Sequence, residues 1–131
     1  MIDPNNIPLI TDDELLARYV THHRQVRNGK PEVSLFVPYK HQELSVTRHI
    51  GATEEELWAV GKDVANTRET DLCGRFDIRT VNCRIDSLEV TAKPLVSNPN
   101  HADIEGWPPE KAQQKAIAQK IIGFAGKLIT P

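Results

Sequence analysis

Cysteine is nearly absent: Cys73 and Cys83 are the only two in 131 residues. That is too few for a disulfide framework, and their spacing lacks the close pairs of a structural zinc site, so they read as reduced, half-buried thiols. A basic excess is missing as well. With 16 Lys and Arg against 18 Asp and Glu, the formal charge is -2, which argues against nucleic acid as a partner while leaving room for a local basic patch. Aromatic residues make up only 5% of the chain, so platforms for base stacking are few. No apolar run approaches the length of a membrane span, and Met1-Ile2-Asp3-Pro4-Asn5-Asn6 has neither a basic start nor an apolar stretch. A cytoplasmic protein with no membrane partner is expected. Glycine is scattered, with Gly51 and Gly74 isolated, and the glycine-rich turn that a dinucleotide-binding fold places after its first strand is not there.

What remains is ordinary globular material, 39% apolar and 26% charged, and a chain of this length can bury a core without disulfides or metals. Residues 1–131 are expected to form one domain, with 1–10 as an extended or flexible lead-in. Thr11-Asp12-Asp13-Glu14 matches a capping box, and Leu15, Leu16, Tyr19, Val20 and Val26 fit one face of a helix over residues 12–27, ended by Asn28-Gly29. Residues 33–37 and 43–48 read as two strands of a hairpin. A second capping box, Thr53-Glu54-Glu55-Glu56, opens a helix whose Leu57, Val60, Gly61, Val64 and Ala65 form a buried stripe. Residues 72–85 fit both periods, as a strand running into a short helical turn would. Residues 88–92 alternate as a strand, with an extended piece through Ala102 and Ile104 placed to pair beside it. The last helix starts after Pro108-Pro109, with Ile117, Ile121, Phe124 and Leu128 on its buried side. The fold class expected from this order is α+β: a single-domain two-layer sandwich, its largely antiparallel sheet packed against about three helices.

Each cluster of reactive residues admits two readings. On an extended backbone His101, Asp103 and Glu105 share a face, where an imidazole and a carboxylate can share a proton. The competing reading makes Asn98 and Asn100 a turn and Asp103 a solvated strand residue. No metal is expected, because zinc takes three or four ligands and only His41 or His49 could add to this pair. His22 and His23 point about 100° apart on a helix, with His23 near the apolar stripe, and read as core or boundary residues. The basic run Arg18, His22, His23, Arg24, Arg27 and Lys30 reads as a solvated helix end. Arg48 shares the face of Leu44 and Val46 and is placed to meet an acid at the end of the core. Arg75 and Asp77 read as a structural ion pair or, alternatively, as part of a phosphate pocket. Trp107 and Trp58 are either core plugs or interface anchors.

The succession Leu44-Ser45-Val46, Gly74-Arg75-Phe76-Asp77-Ile78 and Asn98-Pro99-Asn100-His101-Ala102-Asp103-Ile104, followed by a Lys- and Ala-rich final helix, resembles short uncharacterised bacterial proteins over residues 33–128. The resemblance implies a bacterial cytosolic protein, an accessory component working beside larger partners; it carries no family name, activity or cofactor, and no cofactor is expected. Two functions are expected from different classes. The first is a non-enzymatic binding or accessory protein, with a protein partner or self-association through Trp107, Asn100, Arg75 and Asp77. The second is a small metal-free hydrolase such as a ribonuclease, with His101 and Asp103 working beside His49 or His41 and with Arg48 or Arg75 stabilising a phosphoryl oxyanion.

Overall fold

The structure, a computed structural model, describes residues 1–39 and 43–131. Its seven strands are β1 (Leu15–Val20), β2 (Val26–Arg27), β3 (Lys30–Pro31), β4 (Leu44–Arg48), β5 (Gly74–Arg79), β6 (Glu89–Ala92) and β7 (His101–Glu105), and its two α-helices are α1 (Glu54–Thr67) and α2 (Lys111–Ile122). Five strands form one sheet in the order β5-β1-β4-β7-β6, with every pairing antiparallel. The fold is therefore α+β. Its helices divide between the two faces of the sheet. Ile117, Ala118 and Ile121 of α2 join Leu16, Val20, Val46, Phe76, Ile78 and Ile104 in the main core. On the other face, Val60 and Val64 of α1 pack with Ala17 and Tyr19.

The helix expected over residues 12–27 is instead β1, a 3-10 turn at His23–Gln25, and the ribbon β2-β3. The Thr11–Glu14 signature does make a turn, with the Glu14 carboxylate accepting from the Thr11 amide at 3.1 Å. The chain then leaves it extended. β1 lies between two strands and under helices on both faces, so Leu16 and Val20 bury on one side and Ala17 and Tyr19 on the other. A strand covered twice shows a near-continuous apolar run, which a helical period also fits. Asn28 and Gly29, with φ of 53° and 77°, link β2 to β3 as the Asn-Gly turn of a hairpin rather than ending a helix.

The strand expected at 33–37 is also replaced, by a 3-10 turn at Val33–Phe36 that buries Leu35 and Phe36 under α2. β4 pairs with β1 and β7, not with this segment. At α1, β5 and the β6-β7 pair, pattern and structure agree. Thr53 and Glu56 close the expected capping box at α1, β5 runs into a 3-10 turn at Thr80–Cys83, and β6 pairs with β7. α2 ends before Phe124, which is exposed, while Leu128 packs against the core. Residues 1–10 run alongside the sheet, with Ile2 buried.

Candidate functional site

Strand alternation directs Ser45, Thr47, His49, Arg75, Asp77, His101 and Asp103 to the face of Ala17 and Tyr19, where α1 lies, so most of the expected site residues share one side of the sheet. They do not converge on one point. His49 Nε2 lies 2.9 Å from Asp77 Oδ1, and Arg75 Nε donates to the same oxygen at 2.9 Å. The two Nη groups of Arg75 reach the Glu54 carboxylate at 3.0 and 2.9 Å, and its guanidinium stacks 4.6 Å from the Trp58 ring. Burial alone would raise Asp77, but hydrogen bonds from His49 and Arg75 outweigh it and hold the carboxyl below its usual range. Arg75 is thus enclosed by two carboxylates and a ring, which leaves it little capacity for a substrate anion.

Arg48 lies on the opposite face, as its register with Leu44 and Val46 requires. It is fully buried and meets Glu14, with Nη2 donating to Oε2 at 3.1 Å, and it donates further to the carbonyls of Pro8 and Leu9. It fastens the N-terminal segment and stands apart from His101, so the expected oxyanion role fails on geometry. Asn100 is a second clasp. Its Oδ1 accepts from the Ile2 amide at 2.8 Å, and its Nδ2 donates to the carbonyls of Arg48 and Ile50. Asn98 similarly donates to Thr47 Oγ1. Trp107, only 4% exposed, belongs to the main core and donates from its indole N–H to the Ile104 carbonyl at 2.9 Å. It plugs the core and presents no surface to a partner. His22 and His23, expected at a core boundary, are exposed and stacked on each other at 4.5 Å.

His101 and Asp103 are adjacent. His101 Nδ1 lies 2.8 Å from the Lys93 carbonyl; a carbonyl only accepts, so this nitrogen carries a proton. Nε2 is 3.5 Å from Asp103 Oδ1. Burial raises the Asp103 carboxyl; His101 opposes this, and Glu43 and Glu105 reinforce it. His41, the other histidine considered for this group, lies outside the described residues. Among the described residues, no cluster of three or more His, Cys, Asp or Glu side chains could hold a metal.

His101 borders a cleft of about 520 Å³ between α1, the sheet and the 95–98 loop. Val60, Val64 and Leu95 supply its apolar wall, while Thr47, Arg18 and Arg68 supply polar groups. The cleft exists because β1 and β4 pair through only Leu16↔Arg48 and Ala17↔Thr47. Beyond those pairs Arg18 fills the gap, donating from Nε to the Leu35 carbonyl at 2.9 Å and from Nη1 to the Ser45 carbonyl at 3.0 Å. Arg68, at the C-cap of α1, donates to Thr21 Oγ1 at 3.4 Å. Burial first, and the neighbouring Arg68 second, pull Arg18 down to about 9. Sequence reasoning missed both arginines as site residues. The sequence pattern assigns Arg18 to a solvated helix end because β1 also fits a helical period; on the extended strand Arg18 alternates to the side of Leu16 and Val20, and its guanidinium turns into the gap between β1 and β4.

No protein-family model, no curated protein and no solved structure matches the chain. No helix of the described residues is long and apolar enough to cross a membrane.

Proposed function

We propose that this is a non-enzymatic binding protein whose site is the cleft between α1 and the sheet. The observation that carries the reading is the contrast between that cleft and the other polar clusters. Arg48, Arg75, His49 and Asn100 are each engaged by two or more protein groups or by a close ionic partner, whereas the cleft has the volume of a small-molecule site and mixes an apolar wall with a few polar groups. A role as an accessory component remains compatible with this reading, but its recognition surface then includes the cleft rather than Trp107. Native mass spectrometry of protein purified gently from its own cells tests the proposal. A retained molecule of a few hundred daltons is expected, and Val64→Trp, which fills the cleft from α1, should release it. A bare chain in the wild type under conditions that preserve its fold would overturn the reading.

A second reading, a hydrolase acting through His101, is favoured by one observation: the Lys93 carbonyl holds Nδ1 and orients the ring at the edge of the same cleft, with Nε2 3.5 Å from Asp103 Oδ1. His49 is held by Asp77 and does not line the cleft, so among the described residues no second histidine joins His101 there. Turnover of any phosphodiester or ester that His101→Gln abolishes while ligand retention persists would favour the enzyme.

A further inference from the structure

We propose that the cleft takes an anionic oxyacid head group, a carboxylate or phosphate, against Arg18 and Arg68, with an apolar body lying along Val60, Val64 and Leu95. The proposal rests on the cleft being the binding site and names the chemistry of its occupant.

Charge is the first argument. Among the described residues, no carboxylate lies within 4.0 Å of either guanidinium; Arg27, Arg48, Arg75 and Arg84 each have one, and the exposed Arg24 and Arg79, which also have none, do not line the cleft. The residues outside the description, Lys40, His41 and Gln42, bring no acid. Arg18 and Arg68 line the same cleft, and two guanidiniums there, one of them partly removed from water, are costly to hold together without a counter-charge. An anion between them supplies it.

Donor geometry is the second. A guanidinium has five N–H donors in a planar fork. Arg18 places Nε and Nη1 on the carbonyls of Leu35 and Ser45, which fixes the fork. No protein acceptor among the described residues takes its Nη2. Among the described residues, the Arg68 side chain has a single long bond, to Thr21. A rigid arginine and a more mobile one suit the two oxygens of a carboxylate or phosphate.

The wall is the third. Val60 and Val64 stand one turn apart on α1, and Leu95, half exposed at 50%, closes the loop side. Asp63 also lines the cleft from α1, and it disfavours a second negative charge on the body of the ligand. One anionic end and one apolar end therefore match the site, as in a short fatty acid or an alkyl phosphate.

Isothermal titration calorimetry at low salt with octanoate, octyl phosphate, octanol and inorganic phosphate tests this on the intact chain. Saturable binding of octanoate or octyl phosphate at the Arg68 site is expected, whichever of the two binds better identifying the head group, with octanol at least tenfold weaker. Arg68→Gln, at an exposed position that should leave folding intact, should weaken the anion about tenfold, and Arg18→Lys, which keeps the charge but loses the fork, should weaken it further. Binding of octanol as tight as octanoate, blocked by Val64→Trp, would overturn the head-group proposal while leaving the cleft as a binding site. Equal affinity of Arg68→Gln and wild type for both anions would overturn it too. If no probe binds and the native protein carries no small molecule, both readings fail, and Arg18 is then only a bridge between the two carbonyls it touches.

Discussion

Arg48 and Glu14 form the residue-scale interaction with the most at stake. Both are buried, and they are joined by two side-chain hydrogen bonds across 34 positions of sequence. Removing one partner leaves a charge without compensation in a place water does not reach, which typically costs about 3–5 kcal/mol, whereas replacing both with apolar groups of similar volume is often neutral. Arg48→Met is therefore expected to lower the unfolding free energy by about 3–5 kcal/mol in urea titration. Arg48→Met with Glu14→Met should recover most of that loss, less the bonds to the Pro8 and Leu9 carbonyls. Equal stability of the two variants would refute the argument. Half of this pair was legible in the sequence: the alternation of β4 directs Arg48 to the core side, so an acid had to meet it. Glu14 could not be named, because its four-residue pattern with Thr11 assigned it to a helix cap. The Arg75–Asp77 pair was legible for a simpler reason, since positions two apart on a strand share a face.

At the scale of elements, what decides legibility is how many faces an element buries. α1 buries one stripe and carries a capping box that the sequence spells out and the structure forms. β1 buries both faces, and its alternation is hidden because apolar residues stand on each side; only the neighbouring strands, remote in sequence, settle the matter. The site inherits this limit, since Arg18 belongs to β1 and Arg68 to the end of α1. Gly61 tests the packing of these two elements. A Cβ there would stand 2.8 Å from the Tyr19 ring, whose hydroxyl is held by the Leu57 carbonyl. Helix propensity alone favours Gly61→Ala by about 1 kcal/mol, but overpacking of a fixed ring costs about 1–3 kcal/mol. Net destabilisation is expected by thermal unfolding, and it should be relieved when Tyr19→Leu is added to Gly61→Ala. A Gly61→Ala protein more stable than wild type would mean that α1 can lift from the sheet without loss. Trp107 is the matching test on the other face. Trp107→Ala should cost about 3–5 kcal/mol as a core truncation, against almost nothing if its ring were a surface anchor.

For the whole molecule, the pH dependence of stability follows from which carboxyls folding strengthens as acids and which it weakens. Asp77 is lowered because the hydrogen bonds from His49 and Arg75 exceed the effect of burial; Glu54 is lowered by its bonds to Arg75, and Glu89 by Arg84. A carboxyl lowered on folding contributes stability that is present above its unfolded value, about 3.9 for Asp and 4.3 for Glu, and is lost as pH falls through the folded value. Asp103 has the opposite sign. Burial raises it, so the folded chain keeps that proton longer than the unfolded chain does, and stability declines as pH rises from about 3.9 through the folded value. The lowered groups outnumber it, so urea unfolding should give a plateau near neutrality and a fall below about pH 4. Asp103→Asn isolates the opposing contribution. The variant should equal or exceed wild type at pH 7, because it no longer buries a charge, and that advantage should shrink as pH drops toward 3 and wild-type Asp103 becomes neutral. A variant that loses more stability at pH 7 than at pH 3 would mean that the His101 contact at 3.5 Å stabilises the ionised carboxylate by more than burial penalises it.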